Sequence, residues 1–427
     1  SGIFLSIFVV YPSMLGLAPQ KSRTQRYSVN TNYPLRDRLR QQEISSQDQR
    51  QLDNLFDLLE RRSRFQLGYP LTKNFDYSSL FRFLNHSINN MGDPFTPGSY
   101  QLGTRGFEVE VLEWFAKLLG FPWDETWGYV TGGGTEGNLH GLYVARELYP
   151  DGVVYYSQDT HYSVPKGLRL LKMRDCVIES QPNGEIDYES LRENIDRHRP
   201  AIILANIGTT MKEAVDRVDR IRSIIAGFSI SSSYIHADAA LCGMTLPFMD
   251  DAPPFDFTAG IDSISVSGHK FIGSPIPCGV VLEKQENIEK ITQSIEYIGS
   301  LDATLPGSRN GITPLFLWYA IRKYGKKGFH AMVKQCLLRA QYALAKLGEI
   351  GCKAWRNPYA ITVVIEDLPY SVIRKWHLAV KGKEAHIIAM PNVTTELIDE
   401  FVMDVEAARD LPDSQCMEGH PGSVDIW

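Results

Sequence analysis

Residues 127–149 read WGYVTGGGTEGNLHGLYVARELY, and their order decides the fold. A short apolar run, Trp127 to Val130, has the length of a buried strand; three glycines follow, and from Leu139 to Tyr149 the apolar residues recur at helical spacing. A strand, a glycine turn and a helix N-terminus together offer unpaired backbone N–H groups and the positive end of a helix dipole, so phosphate is the natural ligand. The spacing is neither GxGxxG nor GxxxxGK[ST], so dinucleotide-fold and P-loop readings fail on pattern. Taken alone, the glycines would equally serve a tight turn.

Working outward, short apolar runs alternate with helical patterns as far as Glu283: Val153 to Tyr156, Ala201 to Asn206, Tyr234 to Ala237, Ile264 to Val266 and Gly279 to Leu282. This alternation predicts βαβ units and a mostly parallel sheet. Beyond Pro314 the pattern predicts a long helix to about Leu347 and a strand over Ile361 to Glu366. A helix near Ser371 to Val380, a strand over Ala385 to Met390 and a helix near Thr395 to Ala408 complete a small α+β domain. The expected organisation is an extension over 1–51, a large domain over 52–314 opening with a helix near Leu52 to Arg62, a small domain over 315–410 and a loose tail over 411–427.

Forty-four Lys and Arg against 50 Asp and Glu, with no basic block, argue against nucleic acid as a partner. Hydrophobic residues at 43% and charged residues at 22% are ordinary for a globular chain, which argues against disordered, collagen-like and polytopic membrane classes. Six scattered cysteines without a CxxC pair signal neither a metal site nor a disulfide framework. The apolar run Ile3 to Ala18 is broken by Pro12 and too short for a membrane span. It reads as a bland extension or as the centre of a targeting peptide, so the expected compartment is the cytoplasm, with an organelle or secretory destination as the alternative.

Two further motifs join the glycine turn. Ser265-Val-Ser267-Gly-His269-Lys270 places a lysine just after an apolar run, where partial desolvation would make its amine a nucleophile toward an aldehyde. His236-Ala-Asp238-Ala-Ala240 places an acid at the end of another run, and neighbouring strand ends of an open parallel sheet face a common ligand crevice. A phosphate, an electrophilic carbonyl and a basic ring nitrogen are the features these three motifs ask for, and pyridoxal 5′-phosphate has all three.

The chain resembles the group II pyridoxal-phosphate-dependent amino acid decarboxylases that include bacterial histidine decarboxylase and plant serine decarboxylase. The resemblance lies in SINNMGDPF (87–95), the glycine segment above, DTHYSVPKG (159–167), NGEIDY (183–188), NIGTTMKEAVD (206–216), HADAALCGMTLPF (236–248), SVSGHKFIGSPIPCGV (265–280), GSRNG (307–311) and AHIIAMP (385–391). It implies an aspartate-aminotransferase-like fold (type I), α/β, with a large mostly parallel sheet domain, a small C-terminal domain and a homodimer whose site lies at the interface. It also implies that Lys270 is the Schiff-base lysine, that Asp238 partners the pyridine nitrogen, that His161 stacks on the ring and that Ala240 packs on the other face. Gly133, Gly134, Thr135, Ser267 and His269 match the phosphate site, and Thr209 a position near the ring oxygen or the substrate carboxylate. Ser308 and Arg309 become candidates to reach a partner's cofactor, and Tyr297 a candidate proton donor to Cα, although an ordinary packed tyrosine fits equally well there. Ile312 stands where the resemblance leads one to expect histidine. Histidine and serine are the expected substrates, methionine or valine the alternatives, and a cofactor-binding pseudoenzyme the non-catalytic competitor.

Overall fold

The computed structural model describes residues 44–409 except 74, 97, 231 and 296–298, so the Ile3 to Ala18 run, Tyr297 and the tail fall outside the described residues. Contacts separate the segment ending at Arg61 from the unit formed by Arg62 onward. The helix expected near Leu52 is longer, Ser46–Ser63, and buries none of its residues.

The large unit is organised by a seven-stranded sheet. In chain order its strands are β1 (Thr126–Thr131), β2 (Val153–Ser157), β3 (Arg174–Ile178), β4 (Ala201–Asn206), β5 (Ser233–Asp238), β6 (Ser263–Ser267) and β7 (Gly279–Lys284). Their spatial order is β1-β7-β6-β5-β4-β2-β3, parallel from β6 to β3 and antiparallel where β7 pairs with β6 and β1. Every residue of β1, β4 and β6 is buried, as befits a sheet covered on both faces. One core side holds Phe115, Ile203 and Phe316; the other holds Trp127, Leu142 and Tyr234.

Thr313–Glu349 forms a long helix, interrupted at Gly325, whose φ of 54° breaks the helical path. Beyond it lies a four-stranded antiparallel sheet: β8 (Ala354–Trp355), β9 (Thr362–Glu366), β10 (Ala379–Lys381) and β11 (Glu384–Ile388), in the order β8-β9-β11-β10. The helix expected over Ser371 to Val380 is shorter, Tyr370–Lys375. His377 adopts the left-handed conformation (φ 49°), and Leu378 N–H turns back to Ile373 O, so the chain leaves the helix and enters β10.

Ile312 is buried immediately before the long helix, and its N–H donates to Asn310 Oδ1 at 2.8 Å. The position is a core position here, which suits an aliphatic side chain.

Arg309 does not project from the surface. It is 5% exposed, ion-pairs with the fully buried Glu108, donates to Gly92 O at 3.0 Å and lies over the Tyr129 ring. Glu108 also accepts from Val130 N–H and Asn90 Nδ2. Removing one partner strands the other charge in the core, so Arg309→Ala is expected to lower unfolding free energy by about 3–5 kcal/mol, measured by urea titration.

Candidate active site

The carboxyl ends of β4, β5 and β6 deliver Asn206, Asp238 and Ser267 to one edge of the sheet, because the parallel register pairs Asn206 with Asp238 and Asp238 with Ser265. Against this edge lies a cavity of about 420 Å³, closed on its far side by Tyr69, Thr362, His386 and Ile388. Gly134, Thr135, His161, Thr209, Asp238, Ala240, Ser267, His269 and Lys270, all singled out from sequence, line it. Gly133 borders the adjoining surface depression with His269, Leu305 and Pro306. Ser308 is exposed on the short strand Ser308–Asn310, where its Oγ accepts from Asn89 Nδ2, and it does not line the cavity of the single chain.

The glycine turn is built for close approach. Gly133 has a φ of 152°, outside the usual range for side-chain-bearing residues, and opens the helix Gly134–Leu148. A Cβ on Gly134 would meet Ser267 Oγ at 2.7 Å. The first N–H groups of the helix have no intrahelical partner, and the neighbouring Ser267 Oγ is buried without one. A buried hydroxyl left unpaired is costly unless a ligand completes it. Orphaned hydroxyl, helix terminus and glycine cradle together fit a phosphate group.

Lys270 lines the cavity three residues after β6. Desolvation holds its ammonium pKa below the ordinary lysine value, although Asp238, Cys242 and Glu213 pull the other way. More of its amine is therefore in the neutral form that adds to an aldehyde. Asp238 is held from two sides: its Oδ2 accepts from Asn138 Nδ2 at 2.7 Å and its Oδ1 from Ala240 N–H at 3.2 Å. That arrangement fixes the orientation of the side chain at the cavity edge.

His161 Nδ1 sits 2.7 Å from Ser163 Oγ and accepts from Ser163 N–H at 3.3 Å, which assigns the neutral ring's proton to Nε2. Burial, then Lys270 and Lys166, lower its pKa, while Asp238 opposes them, so the ring is neutral near pH 7. His269 Nδ1 is turned to the backbone of Cys278, and Thr209 Oγ1 accepts from Ala214 N–H, holding the 209–214 turn. No metal-holding cluster of His, Cys, Asp or Glu occurs among the described residues.

Among the lining residues not singled out from sequence are Asn138, Glu213 and His386. Asn138 stands one turn after Gly134 on the same helix face, a placement the i, i+4 spacing could have revealed. Glu213, whose Oε1 faces Cys242 Sγ at 3.4 Å and whose Oε2 accepts from Thr362 N–H, and His386, on β11, carry no local signal.

A family model, "Pyridoxal-dependent decarboxylase conserved domain", matches residues 78–351, well over half of the chain. The chain belongs to the pyridoxal-dependent decarboxylase family. Within this family it is 47% identical to the histidine decarboxylase of Mesorhizobium japonicum over 84% of this chain and 98% of that one. It is 48% identical to the histidine decarboxylase of Morganella morganii over 86% and 99%. Among solved structures, L-methionine decarboxylase from Streptomyces sp. 590 superposes with a TM-score of 0.76 at 26% identity, covering 84% of this chain and 94% of that one. Glutamate decarboxylase from Lactobacillus brevis shares the fold at a TM-score of 0.74 and 15% identity, covering 89% and 94%. This pyridoxal-dependent decarboxylase is therefore a carboxy-lyase that uses pyridoxal 5′-phosphate on an amino acid and has the type I fold expected from its sequence.

Proposed function

We propose that the substrate is L-histidine and that the cavity beside β4, β5 and β6 is where it loses CO2. The identity of 47–48% to two histidine decarboxylases, across nearly their whole length, carries the substrate assignment.

Bound pyridoxal phosphate supplies the electron sink that makes carboxylate loss feasible. Lys270 would hold the cofactor covalently through its desolvated amine and yield it to the substrate amine. Gly133, Gly134, Thr135, Ser267 and His269 would hold the phosphate, and Asp238 would keep the ring nitrogen protonated through a charge-assisted hydrogen bond. Neutral His161 would cover one ring face and Ala240 the other, excluding water from the cofactor. Thr209 would lie near the ring oxygen or the substrate carboxylate.

Two copies per working enzyme form part of the same proposal. Exposed apolar side chains at Phe81, Leu84, Leu102 and Phe107 would supply surface for a second copy, and the exposed Ser308 would reach across to it. No described helix is long and apolar enough to cross a membrane. A cytoplasmic working place rests on the ordinary composition and the scattered cysteines.

The test is CO2 release by the cofactor-loaded protein from a panel of L-amino acids including histidine, serine, methionine and valine. Release from histidine well above the others is expected. Preferential release from serine or methionine would reassign the substrate, and release from none would leave the pseudoenzyme reading standing.

A further inference from the structure

Asp238 is the end of a line of buried hydrogen bonds that crosses the sheet. The register aligns His236 of β5 with Ser263 of β6 and Ser263 with Glu283 of β7, while Tyr234 lies two residues before His236 on the same strand face. From the cavity outward, Asn138 Nδ2 is 2.7 Å from Asp238 Oδ2 and His236 Nε2 is 3.1 Å from Asn138 Oδ1. Ser263 Oγ is 2.6 Å from His236 Nδ1 and 2.8 Å from Tyr234 OH, and Tyr234 OH is 2.6 Å from Glu283 Oε2. All of these side chains are buried.

Each contact at these distances requires one hydrogen, and counting the hydrogens fixes their direction. Serine and tyrosine have one hydroxyl hydrogen each, and a neutral imidazole has one N–H. With Asp238 ionised and the His236 ring neutral, as its complete burial dictates, Asn138 must donate to Asp238 with its amide N–H and take a hydrogen from His236 Nε2. His236 Nδ1 then has none, so Ser263 donates to it; Tyr234 donates to Ser263; and nothing is left to fill the Tyr234 to Glu283 contact except a hydrogen on Glu283. The opposite direction works only with Glu283 ionised and Asp238 protonated, which removes the charge opposite the ring nitrogen.

We infer that Glu283 is a protonated carboxylic acid whose hydrogen orients the whole line toward Asp238, so that Glu283, Tyr234, Ser263, His236 and Asn138 are positioning residues for the charge at the ring nitrogen. This rests on the assignment of Asp238 made above. The surroundings agree with it: burial, the largest influence, raises the Glu283 pKa with the help of Asp262 and against the lowering influence of His140 and Tyr234, and burial pushes His236 down to about 3. Lys270 and His161 are the titratable groups that interact with Asp238 from the cavity side. The competing arrangement is an ion pair between ionised Glu283 and a doubly protonated His140. Its atoms lie 3.4 Å apart without a hydrogen bond, and His140 Nε2 is occupied by Ala303 O at 2.9 Å. An imidazolium with no exposed surface would need a closer partner.

The experiment compares wild-type, Glu283→Gln, Tyr234→Phe and Ser263→Ala holoproteins by infrared difference spectroscopy, by the pH titration of the visible absorbance of the bound cofactor and by cofactor affinity. The wild-type minus Glu283→Gln spectrum is expected to show a protonated carboxyl stretch. Glu283→Gln, whose amide N–H donates to Tyr234 as the acid does, keeps the wild-type titration and affinity. Tyr234→Phe breaks the line, shifts the titration and weakens cofactor binding by about tenfold, and Ser263→Ala repeats the result if the tyrosine variant fails to fold. A carboxylate signal in place of the acid, or a Glu283→Gln titration displaced as far as that of Tyr234→Phe, overturns the proposal. A line that only braces the sheet would lower thermal stability in the variants and leave the titration in place, which also overturns it. Failure of the wild-type protein to take up cofactor would instead count against the site assignment itself.

Discussion

Lys270→Ala is expected to abolish CO2 release, by at least about a thousandfold, while leaving the protein folded. Nothing else lining the cavity can take its place: the lining side chains offer no second amine, and the lowered pKa of Lys270 comes from its own burial. Losing a covalent nucleophile costs orders of magnitude because residues that act together in one step do not compensate for each other. Fold and stability should survive, since removing a desolvated cation takes away a burial cost as well as a contact. Lys270→Arg separates the two contributions of the side chain, keeping a positive charge near Asp238 while being unable to condense with an aldehyde. The arginine variant should be as inactive as alanine. Steady-state CO2 release with matched thermal melts checks both statements, and an arginine variant retaining a tenth of the activity would show that charge alone suffices.

Asp238→Asn should lower kcat on the order of 100-fold or more, with a much smaller change in KM. The substitution keeps the shape of the side chain and a hydrogen-bond partner for Asn138, and removes only the negative charge at the carboxyl end of β5. If Asp238 holds the ring nitrogen protonated as proposed, losing that charge would weaken electron withdrawal in the transition state while ground-state binding persists. A purely structural aspartate would give the opposite pattern, with lower stability and little change in kcat per folded molecule.

The parallel sheet was legible because its central strands are continuous apolar runs: AIILAN, residues 201–206, is buried throughout and could hardly be anything else. β3 escaped notice for the complementary reason. It is the sheet's edge strand, its sequence RDCVI has two exposed charged residues at its start, and neither alternation nor a continuous apolar run marks it. The short helix at Tyr370–Lys375 and the strand that follows it share an unbroken mixed pattern, and the change of direction occurs at a left-handed histidine with no glycine to announce it.

At the site, the lysine, the aspartate and the glycine turn were each ambiguous alone, and they gained meaning because three strand ends of one sheet must converge. Groups that reach the cavity from elsewhere had no such logic. His386 arrives from the small sheet and Glu213 from a turn between β4 and the helix Val218–Gly227, positions that depend on long-range packing. Arg309 misled because an arginine in a glycine-flanked polar segment resembles a surface residue, whereas its partner Glu108 lies 201 positions earlier in the chain.

The most direct test of the account is borohydride reduction of the cofactor-loaded wild-type protein, followed by digestion and mass spectrometry of the peptides. One reduced pyridoxyl phosphate group per chain, attached to Lys270, is expected. Attachment at another lysine, or no covalent adduct in a protein that releases CO2, would contradict it.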